Sequence, residues 1–199
     1  MKKILILVML LLFTGCFWNK GEAEKREFYH PNSVLDIINT FESYEIKRNF
    51  LNESYEFIKV EEIDGKSFYK VSVVFAEKMT AWIDEDGGLY KITNENGDTY
   101  DSNNQVELRQ YESVIKAAFS IFNSLPTDEE IKSIIEQEIL ETYNIEFSNI
   151  GASVTVYEEK HKNAHIKTHI ADFNTFKMIV KVENLIENSI FEIIDFELK

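Results

Sequence analysis

Between residues 160 and 171 the chain reads KHKNAHIKTHIA, which sets Lys160, Lys162 and Lys167 beside His161, His165 and His169 with no acid among them. Three of the four histidines lie here, in a protein with 21 basic residues against 35 acidic ones. The local backbone decides what such a segment can do. On a helix the three histidines would align at i, i+4 and i+8 and could share a zinc ion. On a strand four residues span about 13 Å, too far for His165 and His169 to reach one metal. The alternation of the neighbouring residues favours a hairpin, so no metal site is expected. The expectation is a binding face instead, with His165, Lys167 and His169 on one strand and Lys177 and Lys181 on the next. Its charge would rise as pH falls below about 6.5, where free histidine titrates. Such a face would suit an acidic partner or an anionic polymer.

Other constellations give less. No G-x-S-x-G, H-E-x-x-H, Walker loop or G-x-G-x-x-G is present. Asp84-Glu85-Asp86-Gly87-Gly88 fails as a calcium loop, because an EF-hand needs its glycine two residues later and a glutamate at its end. With 35 carboxylates, some pair always meets glycosidase spacing, so their number selects nothing. No catalytic residue and no cofactor is expected.

The elements that would hold the histidine face are legible from periodicity. Asn32 and Ser33 offer caps, and Val34, Ile37, Ile38 and Phe41 recur at helical spacing, which predicts a helix over about 33–48. From Tyr55 onward the pattern turns to strands. Tyr69, Val71, Val73 and Phe75 alternate with Lys70, Ser72 and Val74, and turns fall at Asp64-Gly65, Asp86-Gly87-Gly88 and Asn96-Gly97. A second helix fits 105–123 through Tyr111, Val114, Ile115, Ala118, Phe119 and Phe122. Thr127 and Glu130 then make a capping box for a third, carrying Ile131, Ile134, Ile135 and Ile139. The last 55 residues read as a four-stranded meander over 152–160, 164–173, 175–183 and 189–198, with Ile190, Ile194, Phe196 and Leu198 facing the core.

The expected fold is therefore α+β, with antiparallel meanders packed against helices. The order suggests two similar halves, residues 31–101 and 105–199, with a single α+β domain as the alternative. A helix plus four-stranded meander in the second half is similar in outline to the cystatin-like and nuclear-transport-factor-like folds, which serve as ligand-binding or assembly modules.

The amino terminus says where such a domain would live. Lys2 and Lys3 give a positive start, Ile4 to Phe13 are unbroken apolar residues, and Thr14 and Gly15 are small. That is the layout of a secretory signal over residues 1–15, and the apolar run falls short of the about 20 residues a membrane span needs. Cys16, the only cysteine, follows at once. The run Phe13-Thr14-Gly15-Cys16 resembles the lipobox of bacterial lipoproteins, with Phe13 standing where a leucine is usual. The resemblance implies that diacylglycerol alkylates the Cys16 thiol and that cleavage leaves Cys16 as the first residue. Residues 16–30 would then be the lipidated cysteine and its tether. The implied location is the cell envelope, outside the cytosol, with the membrane as one partner and an envelope protein as another.

Charge bears on those partners. Two of the 21 basic residues leave with the signal, so the formal charge of −14 becomes −16 in the mature chain. Such a surface repels phosphate backbones, and no nucleic-acid partner is expected. It repels anionic headgroups too, so the lipid and not the surface at large must hold the protein to a membrane.

Residues 68–92, FYKVSVVFAEKMTAWIDEDGGLYKI, resemble the PepSY pattern. Tyr69, Val71 and Val73 match its first strand, and Ile83, Asp84, Gly88 and Leu89 match its second strand and turn. The resemblance implies a small extracytoplasmic α+β module that restrains peptidases or binds at the envelope, and it brings no catalytic residue. The same residues are also a good hairpin connection on physical grounds alone, since Asp bonds the backbone two residues on and Gly tolerates positive φ. The function expected is that of a membrane-anchored, non-enzymatic lipoprotein binding a protein or small ligand. The alternatives are a structural or assembly subunit of an envelope complex and, third, a cell-wall hydrolase.

Overall fold

The computed structural model of the chain describes residues 28, 29, 31, 33–123 and 126–199. The signal segment, Cys16 and the tether up to residue 27 lie outside the described residues. Phe28 and Tyr29, expected at the end of that tether, belong to the fold. Phe28 bridges to Lys177 in parallel, and the Tyr29 N–H donates to the Lys177 carbonyl at 2.7 Å.

The described elements run α1 (Val34–Thr40), β1 (Phe41–Arg48), β2 (Leu51–Ile63), β3 (Lys66–Val74), β4 (Lys78–Ile83), β5 (Leu89–Thr93) and β6 (Thr99–Tyr100). Then follow α2 (Gln105–Asn123), α3 (Asp128–Ile135), β7 (Glu138–Phe147), β8 (Ile150–His161), β9 (Ala164–Asp172), β10 (Lys177–Asn184) and β11 (Ser189–Leu198). The α+β expectation is overturned. The strands form one 11-stranded antiparallel sheet in the order β6-β5-β4-β3-β2-β1-β11-β10-β9-β8-β7. The two meanders are not separate helix-packed layers, because β1 and β11 pair edge to edge and fuse them.

The first helix shows why the reading failed. Ser33 caps it, accepting from the Asp36 N–H at 3.1 Å, but it stops at Thr40, whose hydroxyl donates to the Asp36 carbonyl at 2.7 Å. From Phe41 the chain is extended, with β2 on one side and β11 on the other. Backbone pairing along both edges of β1 outweighs a helical preference worth only tenths of a kcal/mol per residue. The third helix likewise ends at Ile135, and Ile139 lies in β7. In β11 a bulge places Ile193 and Phe196 in the core and leaves Ile194 more exposed than expected.

Packing follows the sheet. Ile37, Ile38, Tyr44, Ile46, Tyr55 and Ile83 are almost wholly buried on the first half, where Phe119 of α2 stacks on Phe57 at 6.2 Å. Tyr111 stacks on Tyr100 at 5.5 Å. In the second half Phe147 lies 4.5 Å from Phe196 and 5.8 Å from Phe173, while Phe41 meets Phe196 at 5.5 Å. These rings tie α1–β1 to the end of β7. Ser148, in the β7–β8 turn, donates its N–H to Asp195 of β11 at 2.7 Å and its hydroxyl to the other carboxylate oxygen. Partial burial pushes the Asp195 carboxyl up, but these Ser148 donors and the Phe196 N–H outweigh it and hold it below its usual range.

The Asp84–Gly88 turn has the hairpin chemistry read from the sequence. Asp84 accepts from the N–H groups of Asp86 at 3.1 Å and Gly88 at 2.6 Å. Gly87 takes the positive φ of 81° in this turn, and a Cβ on Gly88 would meet an Asp84 oxygen at 2.6 Å and push that carboxylate aside.

Candidate functional site

The histidine segment is the β8–β9 hairpin, and the strand reading of its geometry sets the site. Across β8 and β9, Glu158 faces Lys167 and Lys160 faces His165. Across β9 and β10, Glu183 faces Lys167 and Lys181 faces His169. Directly opposed residues share one side of a sheet, so His165, Lys167, His169 and Lys181 stand together. Lys177 does not join them. It pairs with Asp172, three residues from His169, and a bulge at Val180 shifts the register between Ile179 and Lys181. The extra residue puts Lys177 and Lys181 on opposite sides.

Carboxylates fill the spaces between these cations. The His165 Nε2 lies 2.8 Å from Glu158, His169 Nε2 lies 3.0 Å from Glu183, and His161 Nδ1 lies 3.3 Å from Glu159. Lys181 meets Glu183 at 3.3 Å and Glu192 at 3.8 Å, while Lys177 meets Asp172 at 3.9 Å. On the shared side Glu158 and Glu183 alternate with His165, Lys167, His169 and Lys181, while the His161–Glu159 and Lys177–Asp172 pairs lie on the other side. Glu158 and Glu183 were not singled out from the sequence, although a two-residue turn at 162–163 predicts Glu158 opposite Lys167 by simple counting. Glu183 opposite Lys167 depends on the Val180 bulge, which leaves no such trace.

His169 is the buried member, 5% exposed. Its Nδ1 is 3.0 Å from the Tyr143 hydroxyl on β7. A neutral ring satisfies both neighbours, with the Tyr143 O–H donating to Nδ1 and the Nε2–H donating to Glu183. Burial pushes His169 below its usual value despite the attraction of Glu183. Glu183 is pushed up by burial, but His169 and Lys181 together hold it below the usual carboxylate range. His165 lowers Glu158 in the same way, chiefly through its hydrogen bond. The arrangement can bind charge in either sign and has no activated nucleophile. Among the described residues no group of three or more His, Cys, Asp or Glu is placed to hold a metal ion.

The outer side of this region is β7, which no residue pattern picked out. Among the described residues it ends the sheet, pairing only with β8. Its first five residues, Glu138 to Thr142, are exposed, with Ile139 at 59% and Leu140 at 45%. Glu138 stands opposite Glu158, so the free edge runs along the His165–Lys167 face.

A second feature lies at the turns. Asn49 and Phe50 join β1 to β2, and Phe50 is 92% exposed beside the half-exposed Leu51. A cleft of about 500 Å³ sits under them, lined in part by Arg48, Glu53, Phe75 and Ser113. There Arg48 donates twice to buried Glu53, at 2.8 and 2.6 Å, and the Tyr55 hydroxyl donates to the same carboxylate at 2.5 Å.

No protein-family model matches the chain, and no curated protein matches it. Among solved structures it is similar to MucB in a crystal structure with MucA(peri), at 12% identity and a TM-score of 0.37, over 81% of this chain and 50% of that one. It is also similar to a chain of the Pseudomonas aeruginosa MucA/MucB complex, at 11% identity and a TM-score of 0.37, over 83% and 54%. The chain thus spans about half the length of each. Superposition at that score does not define a shared architecture.

Proposed function

We propose that this protein is a membrane-anchored lipoprotein of the cell envelope, acylated at Cys16, that works without catalysis by binding an extended segment of a protein partner along β7. The observation that carries the binding half is the open first half of that strand. An edge strand offers unpaired backbone groups to any passing chain, and proteins usually shorten, charge or cover such edges. Here the edge is a full ten residues long and two apolar side chains stand exposed at its start. Strand addition would satisfy its backbone groups, with affinity from main-chain hydrogen bonds and choice of partner from alternate side chains. Glu138 and Glu141 border Ile139 and Leu140, which suits a partner segment with basic residues among apolar ones. The adjacent His165–Lys167 face would meet whatever flanks that segment.

Anchoring rests on the sequence LLFTGC and on the aromatic pair Phe17 and Trp18 behind it. Two or more acyl chains on one residue give stable attachment where a single chain is marginal. Among the described residues no helix is long and apolar enough to cross a membrane.

The test is photocrosslinking in the native envelope with a photoreactive residue at Leu140, against the same residue at Ile58, exposed on the interior strand β2. The expected result is a single protein adduct at 140 and none at 58. No adduct at 140, with one appearing at Lys167 instead, would move the contact off the edge and overturn the strand-addition reading.

A further inference from the structure

One neighbouring group of hairpin turns differs in chemistry from the rest. At one end of the strands the turns are Asp64-Gly65, Asp84–Gly88, Ser148-Asn149 and Asn174-Thr175, the polar and glycine residues that turns ordinarily carry. The other end holds Phe75–Glu77 and the glycine turn Asn94–Asp98 as well, but toward β8 Asn49-Phe50 and the turn Leu185-Ile186-Glu187-Asn188 lie side by side, because β1 pairs with β11. Phe50 is 92% exposed, Ile186 56%, Leu51 51% and Leu185 46%.

None of these four side chains is needed to make its turn. Asn49 adopts φ 54°, and its carboxamide oxygen accepts from the Ile190 N–H at 3.0 Å while its own N–H donates to the Ile190 carbonyl at 2.9 Å. Asn184 accepts from the N–H groups of Ile186 and Glu187, each at 3.1 Å, and Asn188 supplies positive φ at the turn's end. The asparagines do the folding work, so the apolar tips are left with no structural role.

Lys162-Asn163 is the next turn along from these two, and the Leu185 N–H donates to the His165 carbonyl at 2.9 Å, which holds the three together. Lys160, His161 and Lys162 are exposed there. Glu159 is engaged with His161, and Glu187 is the acid on the three turns. A protein of formal charge −14 therefore gathers three cationic side chains beside its apolar tips, while the other acids of this end's turns, Glu77, Glu95 and Asp98, lie in the turns toward β6.

We infer that this end enters the headgroup layer of an anionic phospholipid bilayer, with Phe50, Leu51, Leu185 and Ile186 reaching the acyl boundary and Lys160, His161 and Lys162 meeting the phosphates. Apolar side chains in the interface with lysines at headgroup level is the arrangement by which proteins lie on such membranes. The inference rests on the anchored reading of Cys16, which brings the domain to the bilayer. Reach permits it. The polypeptide enters the fold at Phe28, at the opposite end of β10, but the twelve residues from Cys16 extend up to about 40 Å, against about 26 Å for the eight-residue strand.

The experiment uses the full chain reconstituted in vesicles of phosphatidylglycerol and phosphatidylcholine with brominated acyl chains. Phe50→Trp and Ile186→Trp are compared with Val60→Trp, exposed midway along β2, each against the parent chain with Trp18 and Trp82. The added emission at 50 and at 186 should be lost to bromine and that at 60 retained, and Lys160→Glu with Lys162→Glu should restore emission at 50. Equal emission at all three positions overturns the inference, as does a dimer in detergent that disappears with Phe50→Ser. The mass of the Cys16 peptide from the same sample reports anchoring separately, so an acylated chain whose Phe50→Trp emission stays unquenched would sink the membrane face alone.

Discussion

Glu53 is 1% exposed, yet it is held by three charge-assisted or hydroxyl donors from Arg48 and Tyr55, which is how a carboxylate stays buried without a large penalty. Arg48→Met should therefore cost about 3 kcal/mol, because it strands a desolvated charge, and Arg48→Met with Glu53→Leu should recover most of that. Urea midpoints of the two variants decide it. His169 contributes to the pH dependence. Its folded value lies below 6.5, so the stability it contributes is complete above that pH and is lost as pH falls toward the folded value. Its NMR titration midpoint is expected below 6.5, and His169→Gln should flatten the fall in thermal midpoint on that acid limb. The histidines and lysines of this face were readable as a group, since their lack of neighbouring acids is visible in the chain. Their glutamate partners were not, because partners across a sheet are fixed by register.

At the scale of elements the legible parts were those whose signal is local. The Thr127–Glu130 capping box is present, with the Thr127 N–H donating to Glu130 at 2.7 Å and the Glu130 N–H donating back to the Thr127 hydroxyl at 3.4 Å. The Thr127 N–H and hydroxyl both donate to the Glu130 carboxylate and hold it below its usual range. Thr127→Ala should destabilise by about 1 kcal/mol, read from thermal unfolding. The C-terminal strands and their turns were likewise visible as alternation. What was lost was the switch inside apparently helical runs. Phe41 completes a helical spacing but begins β1, and Ile139 extends the stripe of α3 but sits exposed on β7. In both cases the deciding term is hydrogen bonding to a strand distant in sequence. The Val180 bulge is of the same kind, invisible in composition yet enough to turn Lys177 away from the other site residues.

For the molecule as a whole, the pairing of β1 with β11 converts two meanders into one sheet, and among the described residues its long edge strand is β7. The apolar and basic turns around Phe50, Ile186 and Lys162 are the surface proposed to meet a bilayer, and β7 lies at the side of the sheet. Strand counts and turn chemistry made the all-antiparallel character partly legible, but nothing in either half announces that its first or last strand will seek the other. In the proposed function, membrane attachment is what brings this sheet to its partner. Mass spectrometry of the mature amino terminus from the native envelope tests that attachment most directly. The expected product is a chain that begins at Cys16 and carries a thioether-linked diacylglycerol; a free Cys16 thiol, or a mature chain that starts beyond residue 16, would contradict it.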